Sequence, residues 1–106
     1  MSLRTDYSTL RLEIAPDRVG VLTLNRPEAM NAMNTAMMAE LRDLFMALYV
    51  DPNAISCLVM TGAGEKGFCT GADLKERKGM SDDTWRRQHA ILEQAIRAMF
   101  DCPVPM

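Results

Sequence analysis

Four consecutive apolar residues, Cys57-Leu58-Val59-Met60, constrain the fold more than any other feature of the chain. No polar residue alternates with them, so they read as a short strand buried on both faces, which needs a covering layer on each side. Their flanks agree. Asp51-Pro52-Asn53 ends whatever comes before, and a glycine-rich loop runs from Gly62 to Gly71 after them. Upstream, Leu10, Leu12 and Ile14 alternate with polar residues between Thr9 and Ala15, the pattern of a half-buried strand. Val19 to Leu24 reads as a second strand, joined to the first through Pro16-Asp17 as a hairpin. Asn25-Arg26-Pro27-Glu28 breaks it, because proline has no N–H to give a ladder.

Two helices complete the pattern. Asn34 or Thr35 can cap the first. Met37, Leu41, Leu44, Phe45 and Leu48 then follow helical spacing, with Glu40, Arg42 and Asp43 placed on the other side. Ser81, Asp82 and Asp83 open the second, since acidic residues suit a helix N-terminus. Trp85, His89, Leu92, Ile96 and Met99 share one of its faces, and Asp101 to Pro105 stops it. A short helical segment is expected to start near Ala72. The order is β-β-α-β-loop-α, an α/β class.

Composition narrows the function classes. Within 106 residues, 48% are hydrophobic and 25% charged, and the net charge is -2, as in an ordinary globular domain. No basic field covers the chain, so nucleic acid and anionic membrane are poor partners. Cys57, Cys69 and Cys102 are odd in number and form no C-x-x-C pair, which supports neither a disulfide framework nor a zinc knuckle. Reduced thiols fit a cytoplasmic setting. Met1 to Leu12 has no continuous apolar core of a signal peptide, and no apolar run approaches the roughly 20 residues that span a bilayer. Pro103-Val104-Pro105-Met106 reads as the approach to another strand. The apolar faces of the two helices exceed what three strands cover, so either a partner chain covers them or the chain is a fragment.

The candidate chemistry lies between Met60 and Glu76. Gly62-Ala63-Gly64-Glu65-Lys66-Gly67 is a literal G-x-G-x-x-G, but a dinucleotide site needs it to open a helix, with an acid ending the next strand. Phe68-Cys69-Thr70-Gly71 follows instead, and Asp82 and Asp83 begin a helix. A flexible loop is the better reading, and no Gly-Lys-Ser/Thr makes it a P-loop. In Phe68 to Glu76, small residues let a ligand approach the backbone. A helix starting at Ala72 would aim unpaired N–H groups at that ligand, and such donors stabilise an oxyanion without a titratable side chain. A helix cap after a turn explains the same residues.

Two segments carry a resemblance. Leu24-Asn25-Arg26-Pro27-Glu28-Ala29-Met30-Asn31-Ala32-Met33-Asn34 resembles the stretch after the second strand in enzymes of the enoyl-CoA hydratase/isomerase (crotonase) family. Phe68-Cys69-Thr70-Gly71-Ala72-Asp73-Leu74-Lys75-Glu76 resembles their first oxyanion-hole segment. Order and spacing match, with the strand Ser56 to Thr61 between them, over about Leu10 to Pro105. The resemblance implies a partial crotonase-like fold, residues 1–106 forming the N-terminal part of the domain. It implies an acyl-CoA substrate and no metal or redox cofactor, coenzyme A arriving with the substrate. Ala72 would give a backbone N–H to the thioester oxygen. Phe68 to Thr70 would face the adenine of coenzyme A. Arg26, Ala29 and Met30 would line its channel, Arg26 touching phosphate or capping its own loop. Asp73, Leu74 and Lys75 fall in the same contact stretch, with Asp73 read as a local cap. The family's second oxyanion donor and the two glutamates of its hydratases come from residues further along than 106. Family trimers and hexamers imply a homo-oligomer.

Within the family the segment from Ala72 to Arg77 resembles hydratases, which add water to a 2-enoyl-CoA. Isomerase and acyl-CoA hydrolase are the alternatives, and a non-catalytic interaction module is the alternative outside enzymes. Glu65, in a loop, and Glu76, on a short charged helix, read as solvated. His89 reads as a packed boundary histidine, and one histidine makes a metal site a poor reading. Met30, Met33, Met37 and Met38 would suit a varied acyl chain but equally fill a core.

Overall fold

The computed structural model describes residues 3–106; Met1 and Ser2, the start of the segment read as lacking a leader core, lie outside them. Strands β1 (Leu10–Ile14), β2 (Val19–Leu24) and β3 (Cys57–Gly62) form one sheet in that order. β1 and β2 are an antiparallel hairpin, with Leu12 opposite Leu22. The turn has Arg18 at φ 68°, and the Asp17 carboxylate accepts from the Val19 N–H at 3.1 Å, as short polar side chains do in turns. β3 joins β2 in parallel, with Leu58 beside Gly20. A parallel partner requires a crossover, and helix α1 (Thr35–Val50) supplies it.

Helix α1 begins where expected. Asn34 caps it, its side chain accepting from the Met37 N–H at 2.9 Å. Its apolar face, with Met37, Leu41, Leu44, Phe45 and Leu48 buried, lies on the sheet residues Leu10, Leu12, Leu22, Leu24 and Leu58. Helix α3 (Asp82–Asp101), capped by Ser81, packs along α1. Between β3 and α3 lies the four-residue helix α2 (Leu74–Arg77). The Pro105 carbonyl accepts from the Leu58 N–H at 2.8 Å and Val104 is buried, so Pro105 meets the edge of β3, although residues 102–106 form no strand.

Four expectations are corrected. β3 is covered on one face only, with Leu58 buried but Val59 48% exposed, because both helices lie on the same side of the sheet. Ile14 is half-exposed beyond the reach of α1. The buried line of α3 runs through Gln88 and Ala95, leaving Trp85 and Ile96 each 42% exposed. Glu40 is not on the solvent face of α1. Its carboxylate is buried and accepts from the backbone N–H groups of Ser8 and Thr9, both at 2.8 Å, and from both hydroxyls. Those N–H groups precede β1 and have no ladder partner, so a carboxylate satisfies them. Burial pushes the Glu40 carboxyl up, but the Thr9 hydroxyl and these N–H groups outweigh it and hold the group below its ordinary range.

Candidate functional site

The site is assembled by two loops meeting at the C-terminal ends of β2 and β3. The first leaves β2 through a short 3-10 turn, Pro27–Ala29, and ends with Met30 at φ 51° and Asn31 at φ 57°. Two successive left-handed residues turn the chain back. Asparagine tolerates that region better than most residues, and Asn31 also has a second task. Fully buried, it accepts from the Arg26 N–H at 2.9 Å. Its amide donates to the carbonyls of Ala63 at 2.9 Å and Gly67 at 3.2 Å. This one side chain therefore ties the loop after β2 to the loop after β3. Gly62 makes the approach possible: a Cβ there would lie 2.4 Å from the Phe68 carbonyl oxygen and 2.8 Å from Asn31 Nδ2. The G-x-G-x-x-G stretch is thus a loop, as expected, but one tied down through Gly62, Ala63 and Gly67 rather than a flexible one.

The second contact holds the candidate oxyanion segment. Met33 and Ala72 form a single parallel bridge: the Met33 N–H donates to the Gly71 carbonyl at 2.7 Å, and the Asp73 N–H to the Met33 carbonyl at 3.0 Å. In such a bridge the middle residue's own N–H and carbonyl face away from the partner. Among the described residues, no hydrogen bond is made by the Ala72 N–H. Gly71, at φ 98°, supplies the backbone turn that a side chain would strain. The expected helix start at Ala72 is corrected. Helix α2 starts at Leu74, and its first donors are taken, since the Asp73 carboxylate accepts from the N–H groups of Lys75 at 3.0 Å and Glu76 at 3.2 Å. Asp73 thus takes the Lys75 and Glu76 donors of this terminus, while the N–H groups of Leu74 and, ahead of the helix, Ala72 make no hydrogen bond among the described residues.

Arg26 and Asp73 meet at 3.0 Å, both largely buried, and the Arg26 guanidinium also donates to the Ala32 carbonyl. Of the two readings of Arg26, these contacts belong to loop capping. Burial pushes the Asp73 carboxyl up, but the Glu76 N–H and Arg26 prevail and hold it below its ordinary value. Asp73 is thus the local cap expected. The Thr70 hydroxyl donates to the Met30 carbonyl at 3.4 Å, joining two more of the named residues. Ala29 is partly buried; Met30, Phe68, Thr70, Leu74 and Lys75 are exposed, Leu74 at 76%.

Glu76 requires a correction, because it is not solvated. One of its carboxylate oxygens accepts from the Thr35 N–H at 2.8 Å, the Thr35 hydroxyl at 2.9 Å and the Gln88 amide. Glu65 is exposed, as expected. His89 stacks on Trp85 with ring centroids 4.9 Å apart and pairs with Glu93 at 3.0 Å; it lies at the boundary and carries no ligand cluster with it. No group of three or more metal-binding side chains occurs among the described residues, and no described helix is long and apolar enough to cross a membrane. Beside the Met33–Ala72 bridge an apolar cavity of about 320 Å³ opens between the sheet and the helices. Leu24, Met33, Met38, Met60, Phe68 and Leu92 are among its lining. Met37 is core and Met30 faces solvent, so of the four methionines first singled out, Met33 and Met38 reach this space.

Comparison with known proteins points one way. A family model described as enoyl-CoA hydratase/isomerase matches residues 19–101. The chain is 35% identical over 91 residues to a crotonyl-CoA hydratase of Syntrophomonas wolfei, covering 86% of this chain and 34% of that protein. The crystal structure of an enoyl-CoA hydratase from Bacillus anthracis superposes with a TM-score of 0.83 at 31% identity, covering 92% of this chain and 38% of that one. An enoyl-CoA hydratase structure from Mycobacterium smegmatis gives 0.83 at 34%, with the same coverage. The chain spans about a third of the length of the curated relatives it matches.

Proposed function

The chain belongs to the enoyl-CoA hydratase/isomerase family, and on that premise we propose that it supplies the first half of an oxyanion hole for acyl-CoA thioesters, with Ala72 as donor. Its α/β fold is the crotonase-like one, present in part. The observation that carries the reading is the unengaged Ala72 N–H, held by a bridge whose hydrogen bonds use the residues on either side of it. A donor fixed in advance costs no reorganisation when charge develops on the thioester oxygen, and one such donor is worth roughly 100- to 1,000-fold in turnover. The parent reaction is hydration of a 2-enoyl-CoA, in which the hole stabilises the enolate formed as water adds. Similarity to the crotonyl-CoA hydratase of Syntrophomonas wolfei supports it over isomerisation or thioester hydrolysis. The second donor and the acid/base glutamates belong to the part of the family's length that this chain does not span. Coenzyme A contact falls to the exposed residues Met30, Phe68, Thr70, Leu74 and Lys75 around the site, beside Arg26, Ala29 and Asp73.

The test separates the N–H from the side chain, in the full-length protein. Ala72→Pro removes the donor and none of the bridge's hydrogen bonds, which Gly71 and Asp73 make with Met33; Ala72→Ser keeps it. The expected result is a loss of roughly 100-fold or more in crotonyl-CoA hydration for proline and near-normal turnover for serine, with circular dichroism confirming both folds. Equal activity in two folded variants removes Ala72 from the hole. A coenzyme A titration of this chain disposes of the interaction-module alternative, which gives no saturable binding. We also propose self-association, supported by the exposed Met46, Tyr49, Val50 and Phe100; light scattering from a stable monomer at high concentration would count against it.

A further inference from the structure

The donor segment is short, with one bridge on one side and a four-residue helix on the other. Neither holds a backbone still on its own, since a single turn of helix is below the length that forms unaided. Something must anchor α2 to the rest of the fold. On its N-terminal side Asp73 is fixed by Arg26. On its far side the anchor is Glu76.

We propose that Glu76 and Gln88 are positioning residues for the Ala72 N–H: they latch α2 to the start of α1 and to α3, and thereby set where the donor points. This rests on the oxyanion reading given above. The geometry is specific. A single Glu76 oxygen gathers three donors: the Thr35 N–H, the Thr35 hydroxyl and the Gln88 side-chain amide. Gln88 is 2% exposed. It also donates to the Thr35 hydroxyl oxygen at 2.9 Å, while its own carbonyl accepts from Arg77 Nε at 3.3 Å. All of its polar atoms are thus committed to α2 and to the first turn of α1. The Thr35 N–H is one of the donors that a helix start leaves unsatisfied, and a carboxylate there is favoured by the helix dipole. The latch therefore stabilises α1 and holds the donor segment with the same oxygen. Gln88 and Ala95 are the buried residues of α3, and Gln88 is the one that reaches α2 with hydrogen bonds.

Because only one oxygen of Glu76 is used, Glu76→Gln keeps the acceptor and Glu76→Ala removes it. Backbone hydrogen exchange is read by NMR at Asp73 and Arg77, with Leu22 in the central strand as reference. In Glu76→Ala, exchange at Asp73 and Arg77 should rise by about tenfold or more relative to Leu22, the effect of losing one ordinary hydrogen bond's worth of local order. In Glu76→Gln it should stay within about threefold of wild type. Titration with butyryl-CoA, followed at the Ala72 amide resonance, should weaken by about tenfold in the alanine variant and recover in the glutamine variant. Unchanged exchange and affinity in folded Glu76→Ala overturn the proposal, as does a glutamine variant as impaired as the alanine one. If the wild-type chain binds no butyryl-CoA, the oxyanion reading falls and takes the positioning role with it. An exchange contrast that persists in that case marks a latch of structure alone.

Discussion

Replacing Asn31 by alanine tests the claim that one side chain joins the two loops. Three groups lose their partner: the Arg26 N–H and the carbonyls of Ala63 and Gly67. A buried polar group left unpaired costs about 1 to 3 kcal/mol. Gly67 is exposed and Ala63 partly so, so water can reach those carbonyls, and the low end of that range applies to them. The sum is about 3 kcal/mol, to which φ 57° adds roughly 1 kcal/mol for alanine in the left-handed region. For a chain of this size, 1 kcal/mol lowers the melting temperature by about 4 to 8 °C, so a fall of roughly 16 °C or more is expected. Asn31→Gly separates the two contributions, because glycine adopts this conformation freely. It should recover about 1 kcal/mol and no more. Urea unfolding followed by circular dichroism measures both. A loss below about 0.5 kcal/mol for alanine, the scale of an ordinary surface substitution, would refute the clasp.

Gly62→Ala should destabilise by about 1 to 3 kcal/mol, measured the same way, because its Cβ meets the Phe68 backbone; a neutral result would mean that the two loops are not in contact. Glu40 is held below its ordinary value of 4.5, so its contribution is present above that pH and lost as pH falls through the lowered folded value. Glu40→Gln should therefore be less stable than wild type at neutral pH, with the gap closing below about pH 4.5 in acid titrations of unfolding; a gap that widens in acid would contradict it. In a crotonyl-CoA absorbance assay, this chain alone should turn over at least roughly 100-fold more slowly than a full-length relative, since one oxyanion donor is the least it lacks.

The elements legible in the sequence were those set by neighbours along the chain. The alternation of Leu10 and Leu12, the Pro16-Asp17 turn, the Asn34 and Ser81 caps and the spacing of Met37, Leu41, Leu44 and Leu48 each report on a single stretch of neighbouring residues, and the structure realises them. Residues whose partners lie far away in sequence were not legible. Glu40 reads as a solvated helix charge because nothing near it mentions Ser8 and Thr9, 32 and 31 positions away. The apolar run of β3 reads as doubly buried because composition does not say on which side both helices fall. Gln88 carried one available signal: it lies three residues after Trp85 and seven before Ala95, on the line that the helix buries. A stripe drawn through the larger side chains passed beside it.

The same division runs through the site. Small residues around Ala72 announced a place where a backbone could meet a ligand, and that much is local. The means by which an N–H becomes available there is not. A helix start was the local explanation, yet Asp73 closes that terminus with its own carboxylate, and a donor already bonded to a cap cannot bind an oxyanion. What leaves Ala72 unengaged is pairing with Met33, 39 positions earlier, in a register that uses the atoms of Gly71 and Asp73. The distinction has a chemical consequence. A helix terminus presents several N–H groups and a diffuse positive end, and would accept an anion in many orientations. An N–H fixed by a bridge and a latch offers one direction. It suits an oxygen that becomes negative at a single point in the reaction. Tightening Asp73's cap should therefore leave the donor untouched, whereas shifting the bridge register by one residue would turn the Ala72 N–H toward Met33 and abolish it.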